Sequence, residues 1–559
     1  LYIDGVFIGS ATLSPGAPAA GQTGFWSQYG PEGYRDDHTV RQAYLVDGLI
    51  FEDADFAGTA ANYDGGVADL PLEFVDVELY DSADVYIGSA TTAADGSFQF
   101  VAHDGAYKVR ARSATIGDVD TPPAGGLNGT VPGTWPYPLA DMTWGSGAAL
   151  YGGQAPTVDD TATADNAGPG DTYVNVTVSG ADVSGVNLGF AYNLVVNTAD
   201  DANADNLRSG QGSLRQFIKN GNAIIGTQTS VFRIPTSDPG YNGSGNGEFT
   251  IQPGTGLPTI SDPVVLDATT QTTNIGDTNV AGPEVELDGS SLGGGEDGFV
   301  ISAGSSTVRG FVINQYPDNA IYIDTNGGNT IVGNYLGTDV TGEIVFGFGN
   351  AGDGVDCRSG NNTIGGTTVA DRNVISGNGD DGIDLDGSAG SITGNIIQGN
   401  YVGTDKDGTT DLGNLSDGIF VSFGTFNNTI GGTAPGAGNL SSGNGGSGIR
   451  VEHPNTNGNI IQGNFVGTTA GGGAALPNAV AGILVDNQPA NNTIGGTAAG
   501  AGNTIAHNGQ AGVVLTVSAG TGNAIRANSI YSNTQLGIDL SDDLVTANDL
   551  DDVDTGVPN

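Results

Sequence analysis

The heptapeptide Asn361-Asn362-Thr363-Ile364-Gly365-Gly366-Thr367 occurs again at residues 427–433 and at residues 491–497. The copies are 66 and 64 residues apart. A second phrase, Ile-x-Gly-Asn, follows the same spacing and begins at Ile331, Ile397, Ile461 and, with alanine in its third place, Ile525. Repetition at a fixed period is typical of solenoid proteins, in which each unit buries its apolar face against its neighbours.

Each repeat unit contains two apolar–polar–apolar triplets, separated alternately by 28–30 and 34–36 residues apart from a shorter last step. Two coils per unit, with three short strands in each coil, are the geometry of a parallel β-helix. Successive coils of such a helix stack about 4.8 Å apart. The triplets begin at Ile321, Val355, Ile383, Ile419, Ile449, Ile483, Val513 and Ile538.

Asparagines that follow glycine, or stand in the equivalent place, recur at the turns of these coils. We predict that these Gly-Asn pairs form turns that require positive φ, and that each asparagine amide hydrogen-bonds to its counterpart in the next coil. They are Asn378, Asn400, Asn444, Asn464, Asn508 and Asn528.

Residues 47–190 contain short alternating segments separated by turn residues, including the hairpin signal Ala94-Asp95-Gly96. This pattern predicts a small β-sandwich. The stretch VDVELYDSADVYIGSATTAADGSFQFVAHDGAYKVRA, residues 75–111, resembles the prealbumin-like (carboxypeptidase-regulatory-like) modules of bacterial surface proteins.

The remaining segments complete a four-part division of the chain. Residues 1–46 are interpreted as an N-terminal strand and linker, the tail of an upstream region. Residues 191–300 are interpreted as a transition and cap, with a short helix over residues 213–219 whose N-cap is Ser213. Residues 301–559 are interpreted as the parallel β-helix.

Three phrases carry a wider resemblance: NTIGGT, GNYVGTDKDGTTDLGN at residues 399–414, and LGIDLSDD at residues 536–543. They are similar to the right-handed parallel β-helix repeats of bacterial exported and surface proteins. The resemblance implies an all-β chain that is secreted or displayed at the cell surface, and it does not fix an activity.

The composition limits the partners. There are 15 Lys plus Arg against 62 Asp plus Glu, a formal net charge of −47. This balance argues against nucleic acid and anionic membranes as ligands, since both require a basic face. No stretch is apolar enough to span a bilayer. Cys357 is the single cysteine, so no intramolecular disulfide can form.

One group of side chains could support catalysis. Stacking of the triplets places Asp356 beside Asp384, and Arg358 beside Asp386, on the outer surface of adjacent strands. Two neighbouring carboxylates raise the pKa of one of them or recruit a cation, which favours acid–base chemistry. Pectin-cleaving β-helix enzymes use a similar cluster. The Gly-His-Gly and Arg-Ile-Lys elements of polygalacturonases are missing from this sequence.

Two acidic segments could bind Ca²⁺, because hard cations prefer oxygen ligands. Asp405, Asp407 and Asp411 surround a glycine turn, although the equivalent residues 468–474 contain no carboxylate. The second segment is the terminal run Asp542, Asp543, Asp549, Asp551 and Asp554. The alternative interpretation of these carboxylates is a solvated acidic loop.

No motif for an organic cofactor is present.

These features lead to one main functional hypothesis and two alternatives. The main hypothesis is a non-catalytic extracellular stalk or adhesive rod, which self-associates into filaments. The first alternative is a lyase or glycoside hydrolase acting on acidic polysaccharide. The second is a passive binder of cell-surface glycans, using a ridge formed by insertions at residues 337–350, 403–414 and 467–478.

Overall fold

The computed structural model describes most of the chain from residue 42 to residue 541. The described residues are 2–3, 6–7, 42–53, 70–73, 75–112, 116, 140–145, 148–149, 168–170, 172–199, 212–224, 226–390 and 392–541. The predicted cation ligands Asp542, Asp543, Asp549, Asp551 and Asp554 lie outside these residues. Within them, no helix combines the length and the apolar character needed to cross a bilayer.

The first part of the described chain forms two β-sheets that share one apolar core. One sheet has the order β10-β9-β12-β3-β4, with β7 also pairing with β3, and the other has the order β11-β8-β5-β6. Val46, Leu79, Val109 and Val176 belong to the shared core. The strands, preceded by the hairpin β1 (Tyr2–Ile3) and β2 (Val6–Phe7), are β3 (Tyr44–Glu52), β4 (Leu70–Pro71), β5 (Asp76–Asp81), β6 (Tyr86–Thr91), β7 (Ser97–Ala102), β8 (Gly105–Ala111), β9 (Ala140–Gly145), β10 (Ala148–Ala149), β11 (Tyr173–Val178) and β12 (Leu188–Tyr192).

A short helix packs on the first coil of the solenoid. Helix α1 spans Leu214–Ala223, and the Ser213 hydroxyl accepts a hydrogen bond from the Gln216 N–H at 3.2 Å as its N-cap. Phe217 of this helix is part of the solenoid core. Strands β13 (Leu194–Val195) and β15 (Val231–Phe232) pair beside it. A second helix, α2, spans Thr270–Ile275.

The rest of the described chain is a right-handed parallel β-helix of three sheets. Its first strand begins at Gln228, well before the expected boundary at residue 301, because residues 228–300 already supply the strand pairs of the first coils. Sheet 1 contains β14 (Gln228–Thr229), β17 (Val264–Asp267), β20 (Thr307–Arg309), β23 (Thr330–Val332), β26 (Thr363–Ile364), β29 (Ile396–Ile397), β32 (Thr429–Gly431), β35 (Ile460–Gln462), β38 (Thr493–Gly495) and β41 (Ala524–Arg526).

Sheets 2 and 3 run alongside it in the same parallel register. Sheet 2 contains β16 (Phe249–Ile251), β18 (Val285–Asp288), β21 (Phe311–Asn314), β24 (Tyr335–Leu336), β27 (Val374–Ile375), β30 (Tyr401–Val402), β33 (Leu440–Ser441), β36 (Phe465–Val466), β39 (Thr504–Ala506) and β42 (Ser529–Tyr531). Sheet 3 contains β19 (Phe299–Ile301), β22 (Ile321–Ile323), β25 (Val355–Cys357), β28 (Ile383–Asp386), β31 (Ile419–Ser422), β34 (Ile449–Glu452), β37 (Ile483–Asp486), β40 (Val513–Thr516) and β43 (Ile538–Ser541).

The predicted triplets are strands of sheet 3, and in those that begin at Ile321 to Val513 the first and third residues are buried in the core, whereas Ile538 and Leu540 of the last triplet are partly exposed. Ile383, Ile419 and Ile449 are register partners in successive coils. All three are fully buried in one continuous core. Each buried aliphatic side chain of this size contributes about 1.5–3 kcal/mol, so the stacked columns stabilise the rod coil by coil.

Three columns of buried asparagines hold the turns together. Along the columns the Nδ2 of one asparagine donates to the Oδ1 of the next coil at 2.9–3.1 Å. At Asn395 the backbone N–H, and not Nδ2, donates to Asn428 Oδ1, at 2.8 Å. The predicted amide stacking is therefore confirmed, and so are the predicted turns with positive φ, which falls on the residue before each asparagine, for example Gly399 at 66° and Gly443 at 82°. The columns are Asn329, Asn362, Asn395, Asn428, Asn459, Asn492 and Asn523; Asn334, Asn373, Asn400, Asn439, Asn464, Asn503 and Asn528; and Asn350, Asn378, Asn414, Asn444, Asn478, Asn508 and Asn533.

The insertion loops do not project as a ridge, contrary to expectation. Each loop folds flat over sheet 2, and its glycine lies so close to an aromatic ring that an added Cβ at Gly408 would stand 2.9 Å from Tyr401. The loops also hydrogen-bond to one another: the Lys406 N–H donates to the Gly342 carbonyl at 3.0 Å, and the Ala470 N–H donates to the Gly408 carbonyl at 2.9 Å. The loops thus form a second layer on sheet 2.

Candidate active site

The outer face of sheet 3 carries the two predicted catalytic aspartates on adjacent strands. Asp356 on β25 and Asp384 on β28 are direct register partners. The same outward column contains Tyr322 one coil before them and Phe420 one coil after them. Because inward side chains alternate with outward ones along a strand, burying Val355 and Ile383 in the core places both carboxyls on the outer side of the sheet, where they are still largely shielded from solvent.

Arg358 joins two carboxylates of this face. Its Nη2 lies 3.0 Å from Asp356 Oδ2, and its Nε lies 3.4 Å from Asp386 Oδ2. The guanidinium also stands 5.2 Å from the centre of the Tyr322 ring. The structure therefore brings together all four residues predicted for an active site.

Three further aspartates on this face escaped prediction. Asp353, Asp381 and Asp417 occupy the same place in successive coils, each followed by glycine and the first residue of a strand. Asp353 Oδ1 accepts the Asp381 N–H at 2.7 Å, and Asp381 Oδ1 accepts the Asp417 N–H at 2.6 Å. Asp417 in turn contacts Arg450, 3.5 Å away. The recurring Asp-Gly before a triplet was the available signal.

Burial and mutual repulsion raise the pKa values of these carboxyls. Burial is the largest cause for each of them, and for Asp353 and Asp381 the largest charge effect is that of the neighbouring aspartate, Asp381 and Asp417 respectively. The pKa of Asp353 rises to about 8 and that of Asp381 to about 7. The pKa of Asp356 rises only to about 6, because the hydrogen bond and charge of Arg358 oppose the effect of burial.

Asp384 stands out within this group. Burial, with the charges of Asp353 and Asp356, raises its pKa well above the ordinary value. Its Oδ1 is inaccessible to solvent and accepts no hydrogen bond from the described residues. A carboxyl without a partner in such a place favours its protonated form. The face thus places a carboxyl whose protonated form is favoured by burial, Asp384, beside a carboxyl, Asp356, that arginine holds more readily ionised.

The predicted calcium loop is organised differently. Asp405 Oδ1 accepts the N–H groups of Thr409 and Thr410 at 2.7 and 3.1 Å, so this carboxylate fixes its own turn. Asp407 and Asp411 are exposed. Among the described residues, the carboxylates that converge closely enough to hold a metal ion belong to a different set, Asp353, Asp380 and Asp381, with ligand oxygens within 4.8 Å of one another.

No family model matches the chain, and the likeness of residues 75–111 to prealbumin-like modules stays a prediction. Solved structures do match. The A-module of mannuronan C-5 epimerase AlgE6 from Azotobacter vinelandii is 14% identical, with 63% of this chain and 91% of that chain covered and a TM-score of 0.33. The periplasmic alginate epimerase AlgG, as a double mutant, is 16% identical, with 57% and 75% covered and a TM-score of 0.26. The catalytic unit of the GH87 α-1,3-glucanase from Streptomyces thermodiastaticus is 12% identical, with 90% and 95% covered and a TM-score of 0.30.

The hypothesis of a non-catalytic stalk is wrong. The matched proteins named above are by name enzymes that modify polysaccharides, which favours the enzyme alternative. The outer face of sheet 3 carries several desolvated carboxyls, an arrangement that costs stability and is more usual at functional sites. Similarity at this level identifies the fold alone, so the chemistry has to be argued from the residues of sheet 3.

Proposed function

We propose that this protein is a glycoside hydrolase that cleaves a neutral polysaccharide on the outer face of sheet 3. The observation that carries the proposal is the pair Asp356 and Asp384, register partners on adjacent strands whose surroundings favour opposite protonation states. Two carboxyls with separated pKa values are the usual equipment of glycosidases, in which one serves as acid and the other as base or nucleophile.

Asp384 is the general acid and Asp356 the nucleophile. The Asp384 carboxyl donates its proton to the glycosidic oxygen, while the Asp356 carboxylate attacks the anomeric carbon and forms a glycosyl ester. The Asp384 carboxylate then takes a proton from water, which hydrolyses the ester and restores Asp356. Neighbouring in-register side chains lie about 5 Å apart. This is close to the separation of retaining enzymes, and we expect retention of the anomeric configuration.

The charge of the face favours a neutral substrate over the acidic one expected from the sequence. Both arginines of this face are already paired, Arg358 with Asp356 and Asp386, and Arg450 with Asp417 and Glu452. With Asp353, Asp380, Asp381 and Asp384, eight acidic groups of the described site oppose two guanidinium groups. A polyuronate would meet repulsion here with no cation left to neutralise its carboxylates.

The test is release of reducing ends from laminarin, dextran, xylan and galactomannan, with polygalacturonate and alginate as acidic comparisons. We expect Asp384→Asn and Asp356→Asn each to lower kcat by about 10²–10⁴-fold. Asp407→Asn is the matched control, because it removes an exposed carboxylate of the same solenoid far along the coil from sheet 3. Full activity in both active-site variants, or turnover confined to the acidic polymers, would contradict the proposal.

A polysaccharide substrate also fits a protein that works outside the cytoplasm. The exported location expected from the sequence is therefore part of this proposal, and detection of the protein in culture medium or periplasmic fractions of its source is the direct measurement.

A further inference from the structure

A recess lined by polar residues lies beyond the ends of the sheet 3 strands, outside the acidic face. It has a volume of about 520 Å³ and spans three successive coils. Its lining contains no charged side chain and consists of asparagines, glycines and one aromatic ring. The lining residues are Gly424, Phe426, Asn427, Asn455, Asn457, Gly458 and Asn491.

Three of the asparagine amides at this recess are free to bind a ligand. In the described part of the chain, the side chains of Asn427, Asn455 and Asn491 form no hydrogen bonds. All three residues have positive φ, at 54°, 68° and 57°. Asn427 and Asn491 are the first residues of the second and third copies of the heptapeptide. The second asparagine of each copy is buried in a column, whereas the first is exposed at the surface.

This chemistry fits an uncharged sugar. Each amide offers two donors and an acceptor to hydroxyl groups, and an aromatic ring packs against the apolar face of a pyranose. Phe426 lines the recess. Next to it, the half-exposed Phe423 ring stacks on His453 with ring centres 3.7 Å apart. A phosphate or a carboxylate would find no cation in this lining.

The recess is within reach of the acidic face. Its first wall belongs to the coil of β31, which directly follows the coil of Asp384. From Phe420, the register partner of Asp384, six residues lead to Phe426, a distance of at most about 20 Å. A polysaccharide several residues long can therefore contact both places at once.

We infer that this recess is a remote binding site for the polysaccharide, in which Asn427, Asn455 and Asn491 hydrogen-bond to hydroxyl groups of a neutral sugar. The identification of the ligand as the polysaccharide cleaved on sheet 3 rests on the proposed function. Binding itself requires no catalysis, so the two ideas can fail separately.

The experiment is affinity electrophoresis of the full chain in gels that contain laminarin, dextran, xylan, galactomannan, alginate or polygalacturonate. Glycine replaces each asparagine, because it removes the amide and tolerates positive φ. Asn455→Gly alone and the triple variant with Asn427→Gly and Asn491→Gly are compared with Asn361→Gly. This control is the same heptapeptide position in the first copy, exposed with φ 62° and outside the recess.

We expect at least one neutral polymer to retard the wild type, and the triple variant to bind it at least tenfold more weakly. Asn455→Gly should weaken binding by a smaller factor, whereas Asn361→Gly should bind like the wild type. Wild-type retardation of the triple variant, retardation by the acidic polymers alone, or no retardation in any gel would overturn the inference. Loss of activity in Asp384→Asn is measured separately, by the release of reducing ends, and tests only the proposed hydrolysis.

Discussion

Replacing Asp381 by asparagine should stabilise the protein at pH 8, because the Asp381 carboxyl is buried among other carboxyls. The residue is 6% exposed, and burial with the charge of Asp417 raises its pKa to about 7. Its Oδ1 accepts one backbone N–H at 2.6 Å, a bond that an amide oxygen also accepts. The substitution therefore removes an unfavourable ionisation and keeps the local hydrogen bond.

The magnitude follows from the protons bound in each state. The unfolded carboxyl ionises near its ordinary pKa of 3.8, whereas the folded one keeps its proton up to about pH 7. Stability is therefore lost as the pH rises between these values, at about 1.4 kcal/mol per unit, or about 4 kcal/mol in total. Since neighbouring carboxyls share this shift, we expect Asp381→Asn to gain about 2 kcal/mol at pH 8 and nothing at pH 4.

Asp405→Asn is the matched control with the opposite sign. Asp405 is also 6% exposed. Burial alone would raise its pKa, but the hydrogen bonds from Thr409 and Thr410 lower it below the ordinary value. This carboxylate contributes stability above its unfolded pKa, and that contribution is lost as the pH falls through the folded pKa. We expect Asp405→Asn to cost about 1 kcal/mol at pH 8.

The assay is urea unfolding followed by circular dichroism at pH 4, 6 and 8, with EDTA present to remove divalent cations. Opposite shifts of the two variants at pH 8, converging at pH 4, support the electrostatic description of sheet 3. Destabilisation by Asp381→Asn at pH 8 would refute it, because a carboxylate held by favourable contacts has a lowered pKa and not a raised one.

Three further substitutions test the asparagine columns, the candidate active site and the packing between coils. Asn439→Ala interrupts the asparagine column that contains Asn400 and Asn464. It should lower the free energy of unfolding in urea by about 2–4 kcal/mol, because several buried hydrogen bonds at about 1 kcal/mol or more each are lost. The control Asn361→Gly should change the free energy of unfolding by less than about 0.5 kcal/mol. Arg358→Met removes the cation that lowers the pKa of Asp356 against the effect of burial, so that pKa should rise further above 6. The acidic limb of the pH–activity profile should therefore move to higher pH. An unmoved limb would exclude Asp356 as the titrating group. Gly382→Ala places a Cβ 2.6 Å from the carbonyl of the next coil and should lower the melting temperature by several degrees; unchanged melting would show that the coils can separate to accept it.

The architecture was readable from the sequence because the solenoid repeats one local unit. The triplets at Val355 and Ile383 set the register of adjacent strands, and the register alone puts Asp356 beside Asp384. The contacts of the loop carboxylates could not be predicted from the sequence, for the converse reason. The backbone conformation of the turn, which the sequence does not give, directs the Asp405 oxygens to the N–H groups of its own loop.

The sequence by itself determined the number of coils in each repeat unit and the alternation of inward and outward side chains along each strand. It also determined the pairing of Asp356 with Asp384, because all three features depend on periodicity alone. The tertiary structure decided which acidic side chains lose contact with water. It stacked Asp353 and Asp381 in neighbouring coils and left the Asp384 Oδ1 atom without a partner. Desolvation depends on every neighbour in three dimensions, and so the protonation states of the site follow only from the folded chain.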